Sequence, residues 1–511
     1  MTMINLYRSL PLAVFAAMTA LAPAADSNSS ALPRSTPEKQ GVSSAALLDF
    51  IRAADSNLDA PHSFMLVRHG NVIAEGWWSP YNPQSRHQMF SLSKSFTSTA
   101  VGLAISEGKL SLFDPVVKFF PDDVPTNASD YLKAMKVRDL LTMSTGHLPS
   151  TVSNFTFNSP QVLTKQFLAL PVDVKPGTLW FYSTPASYML SAIVQKVEGQ
   201  NLVDYLKPRL FDPLGIQDPI WEQSPQGISL GGYGLNIRTE DIAKFGLLYL
   251  NHGKWKGKQL VPAEWVAVAT ARQASNGSDP DSDWEQGYGY QFWRARHGLY
   301  RGDGAYGQFC IVMPEQDAVV AITSGTRNMG ATMNLVWDKI IPAFQAKALP
   351  ANPEGVKKLS ASLAGLKLHM PQTAGTPGAA AQLSGKRYAF PANDLKIETV
   401  GLEFGKPGAP TTLLLKCDGV DQRIPCGSGD WINTRVHFLY DLARTPQDVS
   451  ASASGAWTAD GVYTVKLAFY ESPFTVTIDL HLSADELLFD SEYYVVRRGS
   501  QKQPGLEGRP M

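Results

Sequence analysis

His87-Gln-Met-Phe-Ser91-Leu-Ser-Lys94-Ser-Phe96-Thr-Ser-Thr-Ala-Val-Gly-Leu-Ala-Ile-Ser-Glu-Gly108 is the stretch on which the reading of this chain turns. After Ser91 the apolar residues Phe96, Val101, Leu103, Ala104 and Ile105 recur at helical spacing, and Gly108 ends the run as a C-terminal glycine does. Ser91 is therefore expected at or near a helix start, with Lys94 one turn on along the same face. A serine hydroxyl is a weak nucleophile until a base takes its proton. A lysine serves as that base if burial or a neighbouring cation lowers its pKa. The free N–H groups of a first helical turn also suit a developing oxyanion. Four letters are a common pattern, and a surface helix start gives the same ones, so the flanking residues decide.

Phe90-Ser91-Leu-Ser-Lys94-Ser-Phe96, the apolar helix after it and Gly108-Lys-Leu-Ser-Leu-Phe-Asp-Pro115 resemble the serine β-lactamase and penicillin-binding superfamily, most of all its class C β-lactamase-like hydrolases and esterases. The resemblance implies an α/β (α+β) fold in which an antiparallel sheet is flanked by helices, with an all-helical part between. Met135 to Gly146, read as a second helix with a glycine stop, is similar to the segment that follows the nucleophile helix in that family. Pro176-Gly-Thr-Leu-Trp-Phe-Tyr182-Ser-Thr184 falls where the family carries Tyr-x-Asn. Tyr182 matches, and the resemblance implies that it moves a proton between nucleophile and leaving group. Thr184 departs, keeping a hydroxyl but losing the amide that contacts substrate. Tyr300-Arg301-Gly-Asp303-Gly304-Ala305-Tyr-Gly307 falls where the family has Lys/His-Thr/Ser-Gly, and neither the Lys/His nor the Thr/Ser is present. Arg301 and Asp303 are expected at the substrate, and the backbone N–H of Gly304 or Ala305 is expected to join that of Ser91 in an oxyanion hole. Whether Lys94 or Tyr182 is the base stays open at this point.

Gly227-Ile-Ser229-Leu-Gly231 fits the Gly-x-Ser-x-Gly elbow of α/β-hydrolases, with His252 or His297 as its base. That elbow needs a strand before and a helix directly after, whereas here a loop precedes and glycines follow. His69, in His69-Gly-Asn between two strand-like runs, reads as a hairpin turn residue.

The chain has 511 residues and a formal net charge of −1, which argues against nucleic acid or an acidic membrane as the main partner. Residues 1–24 read as an export signal, with Leu10 to Leu21 as its apolar stretch and Ala22-Pro-Ala24 before the cut. A periplasmic or secreted protein is expected, with no membrane span in the mature chain. Residues 25–33 are expected to be mobile, 34–345 to form the hydrolase domain, and 346–382 to be a linker holding a short helix from Gly355 to Leu366. Residues 383–511 read as a small antiparallel β domain. Cys417 and Cys426 flank a turn-like segment and are either a local disulfide or two thiols, while Cys310 reads as a buried thiol. No metal or cofactor is expected, since no Cys/His spacing suggests zinc. The function expected is hydrolysis of a small-molecule ester, amide or peptide through an acyl-enzyme on Ser91. The alternative is a binding protein for cell-wall peptide on the same scaffold, which does not turn over.

Overall fold

Phe64-Met-Leu-Val67 has no polar alternation, and a strand of that composition must be covered on both faces. It lies in β1 (Pro61–Arg68), which is buried along its whole length. β1 turns into β2 (Asn71–Trp77) through His69 and Gly70, both at positive φ. β3 (Trp293–Arg294), β4 (Tyr300–Gly304), β5 (Gln308–Met313) and β6 (Ala318–Ser324) complete an antiparallel sheet of order β2-β1-β6-β5-β4-β3. Successive residues feed different cores: Met65, Val67, Val319 and Ala321 face one, and Phe64, Leu66, Val320 and Ile322 the other. The structure is a computed structural model that describes residues 31–157, 159–375, 380–406, 409–442, 445–497 and 499–511.

The second core is closed by α1 (Ser44–Asn57), whose first turn is capped by Ser43. The first core holds α2 (Ser93–Ser106), α3 (Val137–Leu141), α4 (Thr184–Glu198), α5 (Thr239–Leu250) and α6 (Ala263–Thr270). α2 is buried all round from Ser93 to Ala104. Its many small residues let neighbours approach closely, and its hydroxyls reach them: Ser95 Oγ donates to Gln291 O at 2.9 Å and Thr97 Oγ1 to Gly231 O at 2.8 Å. At Gly102 a Cβ would collide with the Trp265 ring from α6.

Three expectations are corrected here. The helix expected over Met135–Gly146 is only the five residues of α3, because the chain turns at Met143 and Gly146, both at positive φ. The linker is docked rather than loose. Its helix α7 (Pro353–Ala364) buries Leu359, and Leu366 and Leu368 bond through their backbones to Ser79. Residues 31–33 are tied down, with Leu32 buried and its N–H donated to Glu240 at 2.6 Å. The export signal lies outside the described residues, and among those described no helix is long and apolar enough to cross a membrane.

The C-terminal domain is a nearly closed ten-stranded barrel. Its strands are β7 (Arg387–Ala389), β8 (Ile397–Glu403), β9 (Thr411–Cys417), β10 (Val420–Cys426), β11 (Ile432–Phe438), β12 (Gln447–Ala459), β13 (Val462–Ala468), β14 (Thr475–Leu482), β15 (Leu487–Tyr493) and β16 (Leu506–Pro510), in the order β10-β9-β8-β7-β16-β15-β14-β13-β12-β11. Across the seam, the Gln422 amide exchanges hydrogen bonds of 2.8 and 2.9 Å with the backbone of His437. The disulfide reading of Cys417 and Cys426 is excluded. β9 and β10 form a tight hairpin in which Cys417 faces Val420 and Cys426 faces Thr411. The two thiols therefore stand at opposite ends of the pair, roughly 20 Å apart at the rise of a strand. Both are free and buried, as is Cys310, and burial pushes all three up to about 12.

His62 and His87 lie where sheet and barrel meet. His62 stacks on Tyr81 with centroids 3.7 Å apart, and Tyr81 donates its hydroxyl to Ser472 O at 2.9 Å. His87 Nδ1 donates to Gln88 O at 3.0 Å, so its Nε2 accepts from His62 Nδ1 at 3.1 Å, and both rings are neutral. Burial lowers both, His87 to about 4.

Two outcomes are expected. Gly102→Ala gains about 1 kcal/mol of helix propensity but overpacks against Trp265 by about 1–3 kcal/mol. Its denaturant midpoint should therefore fall below that of the parent chain. Below pH 6.5 the unfolded chain takes up protons that the buried histidines refuse, so stability is lost as pH falls from 6.5 toward about 4, with a slope of up to about 1.4 kcal/mol per pH unit for each ring. A denaturant midpoint that stays flat between pH 6.5 and 5, where ordinary carboxylates are still ionised, would contradict the neutral pair.

Candidate active site

Ser91 lies in a 3-10 turn, Phe90–Leu92, that runs straight into α2. The turn is anchored from outside: Met89 N–H donates to Leu235 O at 2.8 Å, and Leu235 N–H donates to Ser93 Oγ at 3.1 Å. Lys94, one helical turn on, has a side chain only 1 % exposed. Its Nζ lies 2.6 Å from Gly232 O, 3.1 Å from Ser91 Oγ and 3.4 Å from Thr184 Oγ1. Burial lowers Lys94 to about 7, and the nearby Asp303 carboxylate holds it from falling further.

The Gly232 carbonyl reaches Nζ because the chain there presses onto α4. Gly231 is at φ 65°, and a Cβ on it would sit 2.6 Å from Ser191 Cβ. A Cβ on Gly232 would sit 2.6 Å from Thr184 Cγ2. Only the glycine pair admits this approach.

Tyr182 stands beside Ser91, and its ring centre lies 4.9 Å from Lys94 Nζ. The ring stacks on Trp293 at 5.3 Å and meets Tyr288 edge-on at 6.3 Å, with Trp180 at 6.3 Å. This aromatic surround, and then the Asp303 charge, push the phenol well above its ordinary value.

β4 closes the other side. Gly302 and Gly304 share one strand face and press on the turn that carries Ser91. A Cβ on Gly302 would lie 2.8 Å from Ser95 Oγ, and one on Gly304 would strike Met89 O. These glycines thus allow close approach to the helix that carries Ser91. Ala305 follows, exposed to solvent. Neither the Ser91 nor the Ala305 N–H donates in any hydrogen bond of the described residues.

Ser91, Lys94, Tyr182 and Thr184 converge, and Gly304 and Ala305 lie at the strand end beside their turn. Arg301 does not face the pocket. Its side chain is fully buried, lies over Trp284 and Trp293, and bonds to Asp283 O, Arg294 O and Asp303. Asp303 is held by Arg301 and by Trp284 Nε1 at 3.1 Å, so it acts on Lys94 and Tyr182 through its field and not by contact. Burial raises its carboxyl, and the Arg301 guanidinium opposes that shift. The Gly232 carbonyl and the wall of Trp180, Tyr288 and Trp293 were not anticipated. The Gly231-Gly232 pair, directly before Tyr233-Gly234, was the one signal available for the first.

Ser229 is no nucleophile. It is wholly buried, its Oγ accepts from Leu202 N–H at 3.3 Å, and its carbonyl accepts from Ser191. His252 and His297 occupy left-handed turn positions, and neither bonds to Ser229 among the described residues. Among those residues no cluster of His, Cys, Asp or Glu fits a metal ion.

A family model described as Beta-lactamase matches residues 55–340. The 6-aminohexanoate-dimer hydrolase of Paenarthrobacter ureafaciens is 25% identical over 279 residues, which is 50% of this chain and 71% of that protein. A beta-lactamase of Escherichia coli (strain K12) is 25% identical over 186 residues, 32% of this chain and 48% of that protein. Among solved structures, the octameric penicillin-binding protein homologue from Pyrococcus abyssi aligns with 91% of this chain and 98% of its own, at 15% identity and a TM-score of 0.46. The family match spans more than half of the chain and contains the whole constellation around Ser91, and by it the chain belongs to the beta-lactamase family, within the serine β-lactamase and penicillin-binding superfamily.

Proposed function

We propose that this serine hydrolase of the β-lactamase and penicillin-binding type cleaves a carboxylic ester or amide through an acyl-enzyme on Ser91. The observation that carries the reading is the enclosed Lys94 amine, 3.1 Å from Ser91 Oγ and lowered to about 7. Burial favours the neutral form of both Lys94 and Tyr182. A neutral amine is a base, whereas a neutral phenol is an acid, so Lys94 takes the Ser91 proton and Tyr182 supplies one to the leaving group.

The hydrogen-bond count agrees. A neutral amine has two N–H groups and one lone pair. It donates to Gly232 O and Thr184 Oγ1 and accepts from Ser91 Oγ–H. After proton transfer, the ammonium donates to the same three oxygens without moving. Ser91 Oγ then bonds to the substrate carbon, and the carbonyl oxygen takes its negative charge between the N–H groups of Ser91 and Ala305. Collapse breaks the bond to the alcohol or amine, which leaves with the Tyr182 proton, and Lys94 returns a proton to Tyr182. Water then attacks the acyl carbon and gives a proton to Lys94; the bond from that carbon to Ser91 Oγ breaks, Lys94 passes the proton to Ser91 Oγ, and the acid leaves.

Arg301, locked in its pair with Asp303, is not available to hold a substrate carboxylate. Thr184 offers a hydroxyl where the family offers an amide. A short-chain nitrophenyl ester or a linear amide, the bond class that the Paenarthrobacter relative's name implies, therefore suits the site better than a β-lactam.

Ser91→Ala should lose turnover by at least about a thousandfold and all labelling by a fluorophosphonate probe. Labelling that persists and maps to Ser229 would refute the assignment. For the parent enzyme, kcat/KM should rise with pH, reach half its limit near pH 7 and level off above, because the base must be unprotonated. In a panel of nitrophenyl ester, linear amide oligomer, D-Ala-D-Ala peptide and nitrocefin, nitrocefin should be among the slowest. A single stoichiometric burst on every substrate would instead indicate the non-turning-over binding protein.

A further inference from the structure

The two N–H groups assigned above to the oxyanion belong to Ser91 and Ala305. The residue before the first is Phe90, and the residue after the second is Tyr306. Both are non-glycine residues at positive φ, 48° and 65°, a conformation that costs an L-residue of this bulk about 1–2 kcal/mol. Such a conformation persists only where its surroundings hold it. Here the holding groups come from the barrel. The Phe90 and Tyr306 rings meet edge-on at 5.1 Å, and both pack against Phe474, at 6.3 and 6.0 Å. Phe474 is buried in the turn between β13 and β14. The Tyr306 hydroxyl donates to Val496 O at 2.8 Å. The Arg497 guanidinium covers Phe90 at 5.2 Å and Phe474 at 5.7 Å, donates to Gln88 Oε1 at 3.0 Å, and pairs with Asp441 and Glu222. Gln88, on the strand leading into the nucleophile turn, also donates its N–H to Glu471 O at 3.0 Å. A domain interface could fall anywhere on the hydrolase surface. This one falls on the immediate neighbours of both oxyanion donors, and both of those neighbours are at positive φ.

We propose that the C-terminal barrel sets the oxyanion hole: Phe474, Val496 O and Arg497 grip Phe90 and Tyr306 and thereby aim the N–H groups of Ser91 and Ala305. The proposal rests on the assignment of those N–H groups made under the proposed function. Phe474, Arg497, Phe90 and Tyr306 are positioning residues, since none of them touches the reacting atoms.

The test uses the full chain, with Phe474→Ala, Tyr306→Phe and, as a control on the exposed barrel surface, Arg423→Ala. Active sites are counted by end-point titration of Ser91 with a fluorophosphonate, so that misfolded protein drops out of every rate. Per active site, Phe474→Ala should lose about 10–1,000-fold in kcat on a nitrophenyl ester, up to the range seen when one oxyanion donor is removed. Its KM should stay within about twofold, as expected when stabilisation specific to the transition state is lost. Affinity for an arylboronic acid, which becomes a tetrahedral anion on Ser91, should fall in parallel, while the half-rise of kcat/KM stays near pH 7. Tyr306→Phe loses one hydroxyl without risk to folding and should show the same pattern more weakly. Arg423→Ala should match the parent chain. Parent-like kcat and boronate affinity per titrated site in both Phe474→Ala and Tyr306→Phe would overturn the proposal, as would losses confined to the titrated fraction. Parent-like turnover in Ser91→Ala would overturn the proposed function and this proposal with it, which separates the two failures.

Discussion

The buried amine of Lys94 is the constraint that the rest of this molecule serves. An ammonium stripped of water is costly unless it is paired or loses its proton. Among the described residues no carboxylate touches Nζ; its contacts are three oxygens, one of a carbonyl and two of hydroxyls. Asp303 acts from farther off, drawn back by Arg301 and Trp284. An acid in direct contact would make Lys94 a permanent cation, and no acid at all would leave it inert as a proton acceptor of very low affinity. Burial lowers the amine to about 7 and Asp303 holds it from falling further, a balance that suits the general-base role proposed for it.

That placement requires close packing on three sides, and each side is bought with glycine. Gly231 and Gly232 bring a carbonyl onto Nζ against α4. Gly302 and Gly304 bring β4 against the turn that carries Ser91. Gly102 lets α2 sink beneath Trp265. The buried helix is also rich in serine and threonine, and several of its hydroxyls find partners outside it. Those partners, Gln291 O and Gly231 O among them, tie the helix to the loops that line the site. Stability and geometry are therefore set by the same contacts.

The barrel is part of this economy and not an appendage. It meets the hydrolase domain at the neutral histidine pair, at Tyr81 and along the residues bordering Ser91 and Ala305. Its nearly closed sheet removes the exposed edges that ten strands would otherwise present, and the turn carrying Phe474 projects from it onto the site.

What could be read along the chain is what depends on near neighbours. A serine and a lysine three residues apart share a helix face wherever they fall, so the Ser91–Lys94 pair and the turns at His69-Gly70 and Gly108 were legible from periodicity and composition. Tyr182 was legible because its spacing after Pro176-Gly matches a family pattern. The rest was decided in three dimensions, between residues far apart in sequence. Burial of Lys94 depends on Gly232, 138 positions away. Arg301 and Asp303 alternate with the glycines along β4, and only the aromatic box of Trp284 and Trp293 turns the guanidinium inward. The separation of Cys417 and Cys426 follows from a hairpin register that turn-like residues alone do not specify. The sequence by itself determined which groups could react. The tertiary structure determined their protonation and their aim, because desolvation and backbone strain depend on what packs around a group and not on what precedes it in the chain.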